Sequence, residues 1–332
     1  MLRPVAQLID DYRIWHKVTF QRGRILTTRG RDWEAFDRRE LFDDPRLFYG
    51  DGRTVPAVVV RHARSTPLAE ISRFSFPALH PIERYPYAET NRASGILYRP
   101  RAARDGPAVV LSHGWAHDET RAIELLFVEP LLQAGLTVAL VEHPFHFRRA
   151  PAGTYSGELM VSGDVVLTVE AFRQGVADLS GVASWLMDQG MRTGVLGYSL
   201  GGYMAALLAC LRDDLAFVVV GAAGASVVSP ILDTGLGVNV REDLSRSGMD
   251  HRESLERAWG IISPARLAPR VSGDRILLVA GSFDRIMLAE SVAALWRRWG
   301  RPSLLWERQG HYSLLAVPGR LIRRSIPFIL SW

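Results

Sequence analysis

The stretch RTGVLGYSLGGYMAALLACL, residues 192–211, predicts a strand, a tight turn and a helix in direct succession. Residues 192–198 are largely apolar, which is typical of a strand buried on both faces. Residues 200–211 form an apolar helical pattern with small residues at 205, 206 and 209. Ser199 stands at the turn, with Gly197 and Gly201 two positions away on either side, where side chains would obstruct the approach of strand and helix. The stretch therefore predicts a serine hydroxyl exposed above the end of a central strand.

From about residue 68 onward, short apolar runs alternate with helical patterns. This alternation predicts an α/β fold in which a mostly parallel sheet carries helices on both faces. The predicted strands are residues 68–76, 95–99, 108–112, 136–141, 192–198, 215–220, 275–280 and 303–307, and the predicted helices are 120–133, 169–189, 200–211, 288–299 and 321–330.

Two regions depart from this alternation. Residues 1–64 are rich in charged and aromatic side chains and predict an N-terminal helical extension, with helices over 4–20 and 32–42. Residues 65–332 then form the main α/β domain. Within it, residues 224–263 mix polar and apolar side chains between two strands and predict a small cap-like insertion, since long connections are more often functional than idle. Ile231 and Leu232 of this insertion are expected to line an apolar substrate pocket.

The composition of the 332 residues excludes several classes of protein. Cys210 is the only cysteine, so a disulfide within the chain is impossible and nothing indicates an oxidising compartment. The first 20 residues lack the apolar core of a secretory signal, and no apolar run is long enough for a transmembrane segment. The net charge is +5, but the arginines are scattered and no nucleic-acid-binding motif is present. We therefore expect a cytoplasmic protein without a nucleic-acid partner.

Asp284 and His311 each follow a predicted strand directly, as Ser199 does. A neutral imidazole can accept a serine proton, and a carboxylate can fix its tautomer and stabilise the imidazolium. The chain order Ser199, Asp284, His311, with each residue at a carboxyl-terminal strand end, predicts a catalytic triad. Asp274 is the rival acid, but it precedes its strand and is expected at the opposite edge of the sheet.

Acyl transfer at a serine also needs two backbone N–H groups aimed at the developing oxyanion. Leu200, at the start of the helix, and Trp115, in the SHGW segment after the strand 108–112, are the predicted donors. Tyr198, next to the nucleophile, and His143, at a strand end, are predicted to contact the substrate. His143 and His146 are separated by a proline and lack an evident third ligand, so no metal and no cofactor is expected.

These motifs resemble the α/β-hydrolase superfamily over residues 68–332. More narrowly, STPLAEISRFSFP (65–77), EHPFHFRRAP (142–151), SGD (162–164) and WLMDQGMRTGVLGYSLGGYMAAL (185–207) are similar to the α/β-hydrolase-domain-containing protein 18-like group. The superfamily resemblance implies ester, thioester or amide hydrolysis without a cofactor, and the narrower one implies lipid-like acyl substrates. The chain has His113-Gly114-Trp115 instead of an H-G-G-G run, which argues against a hormone-sensitive-lipase type of oxyanion loop.

The leading functional hypothesis is a carboxylic-ester hydrolase that forms an acyl-enzyme on Ser199. Its partner would be a small-molecule or lipid-like acyl ester. A thioesterase or an acyltransferase could use the same triad with a different leaving group or acceptor. A non-catalytic binding protein that keeps the fold is the third alternative, and the intact triad disfavours it.

Overall fold

The structure is a computed structural model that describes residues 2–83, 85, 87–102, 107–115, 120–316 and 320–332. Within these ranges, nine strands form one mixed sheet in the order β1-β2-β3-β5-β4-β6-β7-β8-β9. The strands are β1 (Val59–Ser65), β2 (Ala69–Pro77), β3 (Arg92–Pro100), β4 (Ala108–Ser112), β5 (Thr137–Glu142), β6 (Thr193–Tyr198), β7 (Val218–Gly221), β8 (Ile276–Gly281) and β9 (Ser303–Glu307).

The first strands pair antiparallel and the later ones pair parallel. The pairs β1–β2, β2–β3 and β3–β5 are antiparallel, and every pair from β5 across to β9 is parallel. All residues of β4 to β8 are buried, as expected for parallel strands with helices on both faces. The predicted α/β class and mostly parallel sheet are therefore confirmed.

Thirteen α-helices lie within the described residues. They are α1 (Arg3–Phe20), α2 (Arg39–Asp43), α3 (Arg46–Tyr49), α4 (Arg121–Ile123), α5 (Glu129–Gln133), α6 (Val165–Asp188), α7 (Leu200–Leu211), α8 (Ser229–Leu232), α9 (Val238–Ser245), α10 (Arg252–Ala258), α11 (Ala289–Arg298), α12 (Ser313–Ala316) and α13 (Arg320–Leu330). A π-helical turn, Glu124–Val128, joins α4 to α5, so the predicted helix 120–133 has three parts. In the part of the chain that the structure describes, each helix is too short or too polar to cross a lipid bilayer.

The N-terminal region differs from the helical extension that the sequence predicted. The expected helix 32–42 is a 3-10 turn, Asp32–Phe36, followed by α2. Moreover, β1 begins at Val59, so the range 1–64 also contributes an edge strand to the sheet. Every residue of β1 is exposed, and the strand therefore shows no apolar alternation from which it could be predicted.

The helix α1 lies across the residues of the predicted insertion, which we call the cap segment (residues 224–263). The amide of Asn239 in α9 donates to the carbonyl of Val18, 3.0 Å away. The side chain of Ile14 lies against Gly235, at 3.0 Å from the position that a Cβ would take there. The cap segment contains α8, α9 and α10. The first helix of the chain is thus packed against the cap segment.

Candidate active site

Ser199 occupies a strained turn between β6 and α7. Its backbone angles are φ 56° and ψ −118°, a conformation that residues other than glycine rarely adopt. A Cβ at Gly197 would lie 1.9 Å from the carbonyl oxygen of Gly201, and a Cβ at Gly201 would lie 2.0 Å from that of Ser112. Both positions therefore require glycine. The Ser199 N–H donates to the Gly221 carbonyl at 2.8 Å, which ties the turn to the end of β7.

His311 and Asp284 meet Ser199 at the carboxyl-terminal edge of the sheet. The Nε2 atom of His311 lies 3.1 Å from the Ser199 Oγ, and its Nδ1 atom lies 2.8 Å from Asp284 Oδ2. Asp284 and His311 are buried. The structure therefore brings the three predicted triad residues into one hydrogen-bonded chain, with the imidazole between hydroxyl and carboxylate.

Backbone N–H groups hold the Asp284 carboxylate in place. Its Oδ1 atom accepts hydrogen bonds from the N–H groups of Ile286, at 2.8 Å, and Met287, at 2.6 Å. These bonds use one carboxylate oxygen and leave the other directed at His311. The carboxylate held in this way can orient the His311 imidazole toward Ser199.

The pKa of His311 reflects opposing effects. Burial, the largest single effect, disfavours the imidazolium and lowers the pKa, whereas the charge and the hydrogen bond of Asp284 raise it. The carboxylate of Asp10 raises it further, whereas the ammonium of Lys17 lowers it. The net result is a pKa above the ordinary histidine value, so the site stabilises the protonated imidazole that proton transfer from Ser199 would create.

The two predicted oxyanion donors, Trp115 and Leu200, lie beside the same pocket. Leu200 is the first residue of α7, where backbone N–H groups have no acceptor within the helix. Trp115 lies in the loop after β4, and its indole N–H donates to the carbonyl of Gly157 at 2.7 Å. The ammonium of Lys17 lies 3.1 Å from the centre of the Trp115 ring. These two contacts, one at the edge of the indole and one over its face, hold the side chain of the residue that carries the predicted Trp115 backbone donor.

A narrow cavity of about 60 Å³ opens beside Ser199 and His311. The cap segment contributes five of its described wall residues, which are Val227, Pro230, Ile231, Leu236 and Trp259. The remaining wall, besides Ser199 and His311, comes from the body of the fold and from α1, and most of its residues are apolar. These wall residues are Lys17, Trp115, Val161, Thr168, Phe172, Leu200, Tyr203, Ile286, Met287 and Tyr312.

The structure places three of the four predicted substrate contacts away from this wall. Leu232 is only partly buried and packs against the core, whereas the neighbouring Ile231 lines the cavity. Tyr198 is the last residue of β6. Its ring packs near Phe127 in the core, and its hydroxyl donates to the His311 carbonyl. His143 is buried beneath the loop after β4, with its Nε2 atom 3.0 Å from Ser112 Oγ. Tyr198 therefore contacts the backbone of His311, and His143 contacts Ser112 at the end of β4. Neither residue is part of the described cavity wall.

Two residues of α1 that the sequence analysis did not select reach the site. Lys17 lines the cavity, and the buried carboxylate of Asp10 accepts a hydrogen bond from the backbone N–H of His311 at 2.7 Å. No motif spacing could indicate the second contact, because 301 positions separate the two residues. Within the described part of the chain, no group of three or more His, Cys, Asp or Glu residues could hold a metal ion.

Comparison with known proteins agrees with this architecture. The family described as alpha/beta hydrolase domain containing 18 matches residues 64–236, which is just over half of the 332 residues. The chain belongs to that family. The matched range includes Ser199 and ends before Asp284 and His311, so the pairing of acid and base rests on the geometry above.

One relative and two solved structures illustrate the similarity. The Mycobacterium tuberculosis protein Rv2627c is 27% identical over 310 residues, which cover 90% of this chain and 73% of that protein. Acetyl xylan esterase 1 from Thermoanaerobacterium is 18% identical with a TM-score of 0.63, covering 95% of this chain and 98% of its own. An acylaminoacyl peptidase from Pyrococcus horikoshii is 13% identical with a TM-score of 0.55, covering 80% of this chain and 42% of its own. At these identities the two structures show the α/β-hydrolase fold alone.

Proposed function

We propose that this protein is a serine hydrolase that cleaves carboxylic esters through an acyl-enzyme on Ser199. The observation that carries the proposal is the chain of contacts from Ser199 Oγ through His311, at 3.1 Å, to Asp284, at 2.8 Å. The strained turn at Ser199 and the membership of an α/β-hydrolase family support the same reading.

In the proposed mechanism, His311 Nε2 accepts the proton of Ser199 as Oγ attacks the ester carbonyl. The N–H groups of Leu200 and Trp115 would stabilise the oxyanion of the tetrahedral intermediate. The imidazolium then gives its proton to the alcohol leaving group, which departs and leaves an acyl-enzyme. His311 next takes a proton from water as the water oxygen attacks the acyl carbonyl. The imidazolium then returns this proton to Ser199 Oγ as the bond between Oγ and the acyl carbon breaks, which releases the carboxylic acid and restores the enzyme.

The cavity supports a short, apolar acyl group as the substrate. A water molecule needs about 10–15 Å³ of such a cavity, so about 60 Å³ has room for only a few heavy atoms. The mainly apolar wall favours an apolar acyl group, because removing apolar surface from water is favourable. A long, lipid-like chain would require the cap segment to move, so we propose that short-chain esters are cleaved fastest.

The test compares the protein with the variant Ser199→Ala. We expect the protein to react with a fluorophosphonate probe and to hydrolyse p-nitrophenyl esters, and we expect Ser199→Ala to lose both activities. Ser245→Ala is the control, because Ser245 is exposed on α9 and its hydroxyl donates to the Glu242 carbonyl. Full labelling of Ser199→Ala would overturn the assignment. Faster turnover of acyl thioesters than of matched oxygen esters would instead favour a thioesterase on the same triad.

A further inference from the structure

Asp10 of α1 is a fully buried carboxylate whose hydrogen bonds all come from the loops of the candidate site. Its Oδ2 atom accepts from the N–H groups of His311, at 2.7 Å, and Arg285, at 3.2 Å. Its Oδ1 atom accepts from the N–H of Tyr312 at 2.9 Å. Burying a carboxylate costs free energy unless hydrogen bonds compensate for the lost water. The three backbone N–H groups provide that compensation for Asp10 at this position.

These bonds join the two loops that carry the acid and the base. Arg285 directly follows Asp284 after β8, and His311 lies in the loop after β9. One carboxylate therefore holds both loops in a fixed relation to each other. The approach is close: a Cβ at Gly310 would lie 2.5 Å from Asp10 Oδ2, so glycine at that position lets the carboxylate reach the loop.

We propose that Asp10 is a positioning residue for His311. The Asp10 carboxylate aligns the imidazole with Asp284 and Ser199, and its negative charge stabilises the imidazolium. This inference rests on the proposed function, in which His311 is the base. It assigns to the N-terminal helix a part in catalysis that the triad alone does not contain.

The electrostatic part follows from the groups around His311. A negative charge held near an imidazole in a buried site favours the imidazolium, and the interaction is stronger there than in water. The ionisable groups that face His311 come from four elements; they are Asp284 after β8, Asp10 and Lys17 on α1, Tyr198 on β6 and Tyr312 in its own loop, with Arg13 over the Tyr312 ring. If Asp10 alone is removed, Lys17 remains on α1, and its positive charge still lowers the pKa of His311.

A purely structural role would be different in its measurable effects. If Asp10 only anchored α1, its loss would lower the stability of the fold without changing the titration of His311. If Asp10 positions the base, the pH profile of the reaction must change. Asp10 is also absent from the described wall of the cavity, so its loss should act on kcat far more than on KM.

The experiment uses the full chain and the variants Asp10→Asn, Asp10→Glu and Asp11→Asn. Asp11 is the matched control, because it neighbours Asp10 but is exposed and pairs with the Arg285 guanidinium at 3.1 Å. For each variant, kcat and KM for a short p-nitrophenyl ester are measured across pH, together with thermal unfolding. We expect Asp10→Asn to lower kcat at least tenfold, to change KM less than twofold and to move the acidic limb of kcat/KM to lower pH.

Asp10→Glu keeps the negative charge and displaces it by one methylene. We expect it to keep the acidic limb near that of the unchanged protein while kcat still falls, and it serves as the test if Asp10→Asn does not fold. The proposal would be overturned if folded Asp10→Asn kept both the acidic limb of kcat/KM and the kcat of the unchanged protein. It would also be overturned if the acidic limb of Asp10→Glu moved to lower pH by as much as is expected for Asp10→Asn. Absence of fluorophosphonate labelling in the unchanged protein would refute the proposed function itself, so the two failures are distinguishable.

Discussion

Asp284 and Asp274 lie at opposite ends of β8. Asp284 follows the strand and places its Oδ2 atom 2.8 Å from His311, whereas Asp274 is exposed in the turn Gly273–Arg275 before the strand. In a parallel sheet, only the residue after the strand shares an edge with Ser199 and His311. This arrangement distinguishes the two candidate acids and gives a direct comparison between them.

We therefore expect Asp284→Asn to fold and to lower kcat by about 10³- to 10⁴-fold, because the imidazole loses the charge that orients it and stabilises its protonated form. Asp274→Asn, the matched control, should retain the kcat of the unchanged protein. The measurement is steady-state hydrolysis of a short p-nitrophenyl ester by both variants. A reversed order of the two activities would show that the acid has been misassigned.

The raised pKa of His311 predicts the pH dependence of the reaction. The imidazole must be neutral to accept the Ser199 proton, so kcat/KM should fall as the pH drops through the pKa of His311 in the free enzyme. Since Asp284 and Asp10 raise this pKa, the midpoint of the acidic limb should lie above about 6.5, the ordinary value for histidine. A profile of kcat/KM between pH 5 and pH 9 tests this, and a midpoint clearly below that value would contradict it.

The cavity wall predicts which cap residue controls acyl length. Ile231 is buried and lines the cavity, whereas the adjacent Leu232 lies outside the described wall. Ile231→Ala should open space for longer chains, each further buried methylene contributing about 0.8 kcal/mol. We expect the ratio of kcat/KM for hexanoate to that for acetate to rise about tenfold, while Leu232→Ala changes it less than twofold. Equal profiles for the two variants would place the acyl group elsewhere.

The tight turn at Ser199 predicts a sharp difference between two glycines. A Cβ at Gly201 would lie 2.0 Å from the Ser112 carbonyl oxygen, whereas a Cβ at Gly273 would meet nothing within 4 Å. Gly201→Ala must displace backbone and should lower the free energy of unfolding by about 3 kcal/mol or more. Gly273→Ala should leave it nearly unchanged. Chemical denaturation of both variants checks the prediction, and similar midpoints would mean that the turn tolerates a side chain.

The central part of the fold was predictable because it depends on local patterns. Residues 303–307 are the strand β9 as predicted, and β6 begins one residue later than expected, at Thr193. Ser199, Asp284 and His311 stood out because each follows a predicted strand, so sequence position alone assigns them to one edge of the sheet.

The residues that the sequence did not reveal reach the site through tertiary packing. Asp10 lies within the predicted helix 4–20, and only the packing of α1 brings its carboxylate to the backbone N–H of His311. Tyr198 was misplaced because a position next to the nucleophile does not fix the direction of a side chain, and its ring packs near Phe127 in the core. Leu232 was misplaced because a short helical turn, α8, directs Ile231 and Leu232 to different surroundings.

Lys17 is the only lysine among the 332 residues, and it lies in the wall of the cavity on α1. A protease that cuts only after lysine therefore has a single site, which separates residues 1–17 from 18–332. In the folded protein that bond is part of a helix packed against the cap segment, so cleavage requires α1 to detach locally. The rate of this single cut consequently reports how often the first helix leaves the site, and a molecule held in the cavity should slow it.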